Sequence, residues 1–193
     1  MLLQLQNINY NKIIFFDIEY DQNSLVQVAF LILGAKEPNI FELQKSFNVY
    51  IKQNHLLTPF FTSYTNITNS YLCNNGIDLP GARLLVNEIL SDVDVDNALL
   101  VGHGIDNDMR LLSENNFSLS RFSNKYDTYK KAKKILKRNK HLTLADIAIE
   151  DGYFMFNQHN AYADVWGLLH AFLFLNKQEN KNTNEKTRKL GKM

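Results

Sequence analysis

The sequence predicts a mixed α/β sheet covered by helices, and two observations carry that reading. Apolar runs of strand length, separated by turn residues, crowd the segment from Ile13 to Ile51. Helical spacing then dominates, broken by one short apolar strand, Ala98-Leu99-Leu100-Val101. Strands first, then a strand among helices, puts helices against a mixed sheet.

The elements follow in chain order. Residues 13–18, I-I-F-F-D-I, form a short apolar run rich in aromatic and β-branched residues, the signature of a buried strand. Asp21-Gln22-Asn23-Ser24 is turn chemistry. Leu25 to Leu33 is a second strand, expected to end at Gly34. Phe41 to Ile51 is a third, with Phe47, Val49 and Ile51 alternating, so the three form an antiparallel meander. Pro80 to Leu90 carries Leu84, Leu85, Ile89 and Leu90 at helical spacing, and Asp106 to Ser113 does so with Met109, Leu111 and Leu112. Tyr126 to Leu136 reads as a basic helix, and Thr143-Leu-Ala-Asp146 as a capping-box-like helix start. Residues 160–175 form the clearest amphipathic helix, through Ala161, Val165, Leu168, Leu169, Phe172 and Leu175. The predicted domain spans residues 1–176. Residues 177–193 are polar and basic with almost nothing to bury, and are expected to be a disordered tail.

Hydrophobic residues make up 45 % of the 193, enough for a full core, while a net charge of +1 gives no global field for a polyanion. The lone Cys73 excludes an intrachain disulfide. The opening MLLQLQNINYNK is too polar for a signal peptide, and no apolar run approaches membrane-spanning length. The reading is a soluble, cytoplasmic protein with no membrane partner.

The chemistry is concentrated in carboxylates at element ends. Asp17 and Glu19 lie two apart at the end of the first strand and so point to one side. Two acids held together repel unless a cation lies between them, and Mg²⁺ takes such hard oxygen ligands together with substrate phosphate oxygens. A single D-x-E is weak evidence, because acids are common on surfaces. Further acids strengthen it. Asp108 and Asp106 both fall at the start of one helix, and spacing alone does not choose between them. Asp164 falls in the first turn of the amphipathic helix, with His159 on the loop before it. A loop histidine beside a metal can accept a proton from water, since its ordinary pKa lies near neutrality. Acids at a strand end and two helix starts suit a two-metal site for in-line phosphoryl displacement.

These residues resemble the motifs of the DnaQ-like, or DEDDh, 3′-to-5′ exonucleases, whose familiar type is the proofreading epsilon subunit of bacterial DNA polymerase III. D-x-E at the end of the first strand is matched by Asp17 and Glu19. The histidine and spaced aspartate of the second motif are matched in V-G-H-G-I-D-N-D by His103 and Asp108, which selects Asp108 over Asp106. His-x-x-x-x-Asp is matched by His159 and Asp164. Thr65-Asn66-Ile67-Thr68 is similar to the family's Gly-Ile-Thr turn, and Asp127-Thr128 to its Asp-Thr pair. Tyr20, Gly104, Asn107 and Asn66 depart from the usual residues, none at a catalytic carboxylate.

The resemblance implies an RNase H-like mixed five-stranded sheet flanked by helices. It implies hydrolysis of single-stranded 3′ ends to nucleoside 5′-monophosphates with two Mg²⁺ or Mn²⁺ ions. Asp17, Glu19 and Asp164 would hold one ion, Asp17, with Asp108 directly or through water, the other, and His159 would be the general base. DNA is favoured over RNA as substrate, with oligoribonuclease-like or RNase T-like exoribonuclease activity as the runner-up. Docking to a polymerase or another nucleic-acid-processing complex is a further expectation.

Residues 125–141 hold eight Lys or Arg against one acid, so Lys130, Lys131 and Lys134 are expected to track the phosphate backbone. Tyr20 is a candidate for stacking on a base, and His103 for a hydrogen-bonding contact beside the site. The competing class is a non-catalytic nucleic-acid-binding domain of the same fold, against which stands the presence of all four carboxylates and the histidine.

Overall fold

The computed structural model describes residues 1–137 and 141–190, and for residues 184–190 the helical backbone alone. Strands β1 (Leu2–Gln4), β2 (Lys12–Asp21), β3 (Ser24–Glu37) and β4 (Ile40–Tyr50) come first. Helices α1 (Pro59–Thr65), α2 (Asn69–Asn75) and α3 (Leu79–Ile89) follow, then β5 (Ala98–Gly102), α4 (Asp106–Glu114) and β6 (Lys125–Asp127). The chain closes with α5 (Thr128–Leu136), α6 (Leu144–Ala148) and α7 (Ala161–Leu190). The sheet order is β1-β4-β3-β2-β5-β6. The meander β2–β3–β4 is antiparallel, while β5 joins β2, and β6 joins β5, in parallel. This is the predicted mixed α/β sheet.

The sheet has six strands rather than five. The two edge strands, β1 and β6, are three residues each, too short to leave a periodic signal. Lys125–Asp127 is therefore strand, and the basic helix starts at Thr128 with Asp127 as its cap. Strand β3 does not stop at Gly34 but runs to Glu37, with irregularities in its pairing to β4 at Ile32/Leu33 and Ala35/Glu37. Helices α1 and α2 lie where no element was predicted.

Strand β2 sits at the centre and sorts its side chains by parity. Ile14, Phe16 and Ile18 join the core beneath α3 and α4, including Val86, Met109 and Leu112. Ile13 and Phe15 face the other way, into the core with Val165, Leu168 and Phe172 of α7. Asp17 and Glu19 continue this second face, so the row that begins as packing against α7 ends as acid. Full burial of each such aliphatic or aromatic side chain contributes roughly 1.5–3 kcal/mol, which makes β2 and α7 firm supports for whatever they carry.

The expected disordered tail is helix up to Leu190. Its contacts explain the difference: Asn176 and Asn180 are buried, the Asn176 side chain exchanges hydrogen bonds with the Gln6 backbone, and Glu179 pairs with Lys131. Polar residues here are held by polar partners, which a search for apolar periodicity does not register. Residues 138–140 of the basic segment and 191–193 of the tail lie outside the described residues. Among the described residues no helix is long and apolar enough to cross a membrane.

Candidate active site

Strand β5 stops pairing with β2 at Phe15↔Val101. Beyond that point β2 runs on with β3 alone, through Asp17↔Ala29 and Glu19↔Gln27. The two acids therefore stand on the strand just past the place where the sheet opens. Gly102 ends β5 at that opening, and a Cβ there would come within 2.3 Å of Ile105 and 2.9 Å of Phe16. Gly104 turns the chain toward α4 at φ +69° and donates its N–H to Asp127 Oδ1 at 3.0 Å.

Helix α7 brings Asp164 to the same place, and a buried glutamine positions it. Gln27 is fully buried on β3, directly across from Glu19. Its Oε1 accepts the Ala161 N–H at 3.1 Å, one of the free donors at the start of α7. Its Nε2 donates to Asn48 at 2.8 Å and to Asn160 at 3.3 Å. Gln27→Met keeps the volume and removes both hydrogen-bonding ends. It is expected to lower stability by about 1–3 kcal/mol, because the Ala161 N–H loses its partner. Urea unfolding measures the loss, which should appear in the midpoint with no change in slope.

Asp17, Glu19 and Asp164 each offer a carboxylate oxygen within 4.8 Å of the others. Asp164 Oδ2 accepts the His159 backbone N–H at 3.0 Å, while Asp164 Oδ1 is buried and has no hydrogen-bond partner. Burial, then the fields of Asp164, Glu19 and Asp108, pushes Asp17 well above the usual carboxylate range. Burial and the neighbouring acids raise Glu19 to about 8. Burial raises Asp164 to about 7 against the opposing His159 hydrogen bond, and burial with Asp127 raises Asp108 to about 7. Such a cluster is short of positive charge. Hard oxygens close together, one with an unfilled lone-pair site, fit a divalent cation.

Asp108, His103 and His159 line the same cleft of about 370 Å³ as the three clustered acids. All five residues expected to do chemistry thus share one cavity. Asp106, the rival at the start of α4, is exposed and bonds Lys130 Nζ at 2.7 Å, so it is occupied elsewhere. His159 sits at φ +64°, and burial lowers its pKa, which favours the neutral imidazole. His103 Nδ1 meets Thr128 Oγ1 at 2.9 Å, and that hydroxyl donates to Gly102 O at 3.0 Å. Since the Thr128 hydrogen is committed to the carbonyl, His103 Nδ1 is the donor of this pair.

The other expected contacts lie apart from the cleft. Lys130 pairs with Asp106 and Asp127, and Lys131 with Glu179 at 2.9 Å while its ammonium lies over the Tyr126 ring. Lys134 lines a separate cavity with Gln6, Asn176 and Asn180. Tyr20 is exposed beside a register shift at Glu19/Tyr20 and does not line the cleft. Sequence reading missed two residues. Gln27 is marked only as a polar residue in an apolar run. Tyr64, on α1, stacks on the His159 ring with centroids 3.7 Å apart. No sequence signal announced Tyr64.

No family model and no curated protein matches the sequence. Solved structures do match by shape. E. coli exonuclease I in complex with a dA16 oligonucleotide superposes with a TM-score of 0.68 at 15% identity, over 89% of this chain and 42% of that one. The chain thus spans about two fifths of that protein's length. The nuclease domain of 3′hExo, described as a DEDDh family member and bound to rAMP, gives 0.68 at 14% identity, over 89% of this chain and 93% of that one. A 3′-exonuclease recognising a histone mRNA stem-loop gives 0.65 at 14% identity, over 89% and 83%. The chain has the RNase H-like fold of the DEDDh exonucleases. Within that DEDDh fold, the strand-end and helix-start acids described above occupy the cleft where β2 outruns β5.

Proposed function

We propose that this protein is a metal-dependent 3′-to-5′ exonuclease that hydrolyses single-stranded DNA ends to nucleoside 5′-monophosphates. The observation that carries the reading is the cluster of Asp17, Glu19 and Asp164, with an unpartnered buried oxygen, beside a neutral histidine in one cleft. Asp17, Glu19 and Asp164 would hold one divalent cation, and Asp17, with Asp108 directly or through water, the second. Two such ions, Mg²⁺ or Mn²⁺, would polarise the scissile phosphate and offset charge on the attacking and leaving oxygens.

The chain's own residues do the rest. The carboxylates are carried on β2, α4 and α7, so the reacting phosphate meets a preset geometry, and in-line attack tolerates little misplacement. His159 takes the proton of the attacking water. Its lowered pKa keeps the imidazole free to accept that proton at neutral pH. Its backbone N–H on Asp164 ties the loop to a ligand. The fold neighbours include proteins solved with DNA and with an RNA nucleotide, and the preference for DNA is part of the proposal.

The test uses 5′-labelled single strands of DNA and RNA of one sequence, with Mg²⁺, Mn²⁺ or EDTA. A ladder shortening from the 3′ end and lost in EDTA is the expected result, faster on DNA. Faster shortening of RNA would move the substrate class to RNA. Binding without shortening of either strand would replace the exonuclease by a non-catalytic nucleic-acid-binding domain.

A further inference from the structure

A second cavity lies away from the acids. It holds about 740 Å³, against about 370 Å³ for the cleft, and shares no lining residue with it. Small-molecule sites occupy roughly 300–1,000 Å³. Its walls are residues 6–8, the end of α5 and the polar half of α7. Asn180 on its wall and Asp164 in the cleft stand on the same helix, roughly 24 Å apart along the axis at about 1.5 Å per residue.

Amides build one wall and are fixed before any ligand arrives. Asn176 and Asn180 are buried. Asn176 donates to the Gln6 carbonyl at 3.1 Å and accepts the Gln6 N–H at 3.3 Å. Asn180 donates to the Asn176 carbonyl at 2.8 Å and accepts from the Asn7 side chain. Ile8 and Ile135 add a partly buried apolar patch. The charge is uneven. Lys134 and Lys137 both line the cavity, and neither has an ion-pair partner among the described residues. Glu179, the acid of the lining, already meets Lys131 at 2.9 Å and the Tyr126 hydroxyl at 3.3 Å. The carbonyl end of α5 favours lysine by itself, which accounts for the charge but not for the amides and isoleucines beside it.

We propose that this cavity is a second binding site, for a nucleoside monophosphate. Three parts of that ligand answer three parts of the lining. Its phosphate pairs with Lys134 and Lys137. One face of its base lies on Ile8 and Ile135. The edge of the base bonds the amides, since an amide offers a donor and an acceptor side by side, the pattern by which Asn and Gln read an adenine edge. A sugar phosphate leaves the isoleucines bare, and a nucleoside leaves the lysines bare. The site does not depend on the nuclease reading, because its residues are distinct from those of the cleft.

The test is isothermal titration calorimetry in EDTA, which silences metal-dependent cleavage. AMP, adenosine, ribose 5-phosphate and inorganic phosphate are titrated into the wild type, Asn182→Ala and the double variant Lys134→Gln/Lys137→Gln. Asn182 is an exposed residue of the lining, outside the amide bonds described above, so its loss leaves the fold in place. AMP is expected to bind the wild type at least on the order of tenfold tighter than any of its three fragments. The double lysine variant should weaken AMP on the order of tenfold or more, the scale of lost hydrogen bonds to a charged group, and leave adenosine unchanged. Asn182→Ala should weaken AMP and adenosine alike. Equal AMP affinity in the wild type and the lysine variant overturns the site. So does a wild type that shows no saturable AMP binding. Ribose 5-phosphate bound as tightly as AMP overturns the base contact and with it the nucleotide. None of these outcomes bears on cleavage, which the labelled-strand assay decides separately.

Discussion

Asp17→Asn is expected to lower hydrolysis at least on the order of 10³-fold while making the metal-free protein more stable. Loss of a single orienting group in a preorganised site costs about 10²–10³ in turnover, and Asp17 is assigned to both cations. The stability gain has a separate cause. Asp17 is held well above the usual range by burial and by three neighbouring acids. A carboxyl whose folded pKa is raised contributes stability that is fully present below its unfolded pKa, near 4. That contribution is lost as pH rises through the folded value, which for its neighbours Asp164 and Glu19 is about 7 and about 8. Between these limits the metal-free wild type should lose stability with rising pH, and Asp17→Asn should flatten the decline. Each 1 kcal/mol of repulsion removed raises the melting temperature by about 2–4 °C in a chain of this size. Thermal unfolding in EDTA across that pH range measures it. Mn²⁺ titration completes the test, since wild-type stoichiometry in Asp17→Asn would remove Asp17 as a ligand.

His159→Asn is expected to lower turnover by about 10²–10⁴, the range of a lost general base, with metal binding nearly intact. Asparagine is chosen because residue 159 sits at φ +64°, which alanine adopts under strain and asparagine with little. The backbone N–H to Asp164 survives the change, so the ligand stays in place. Single-turnover kinetics isolates the loss to the chemical step. Turnover equal to the wild type would show that another group takes the proton.

The acids of β2 were legible in sequence because a strand-like apolar run ends on them, and burial plus alternation fixes which way they face. Asp164 and His159 were legible because the amphipathic helix has an unmistakable period. Asp108 was not separable from Asp106 by spacing; what separates them is the Lys130 ion pair that holds Asp106 outside. The same blindness affected the lysines. A run of positive charge is visible in a sequence, but its partners Asp106 and Glu179 lie far along the chain. Gln27 and the asparagines of α7 escaped for a related reason: their roles are polar and mutual, and no single position reveals a hydrogen bond. Tyr64 matters through a ring it meets only in the folded state.

The central strand β2 has a consequence for when the protein becomes active. Asp17 and Glu19 lie near one end of the chain and Asp164 near the other, so the cleft exists only once that very long loop has been closed. The parallel pairing of β2 with β5, Lys12 beside Ala98, needs a similar closure. Contacts this distant in sequence form slowly and late in folding. A partly folded or still-growing chain therefore holds two acids without their partner and is inert. The proposed activity thus awaits a completed fold.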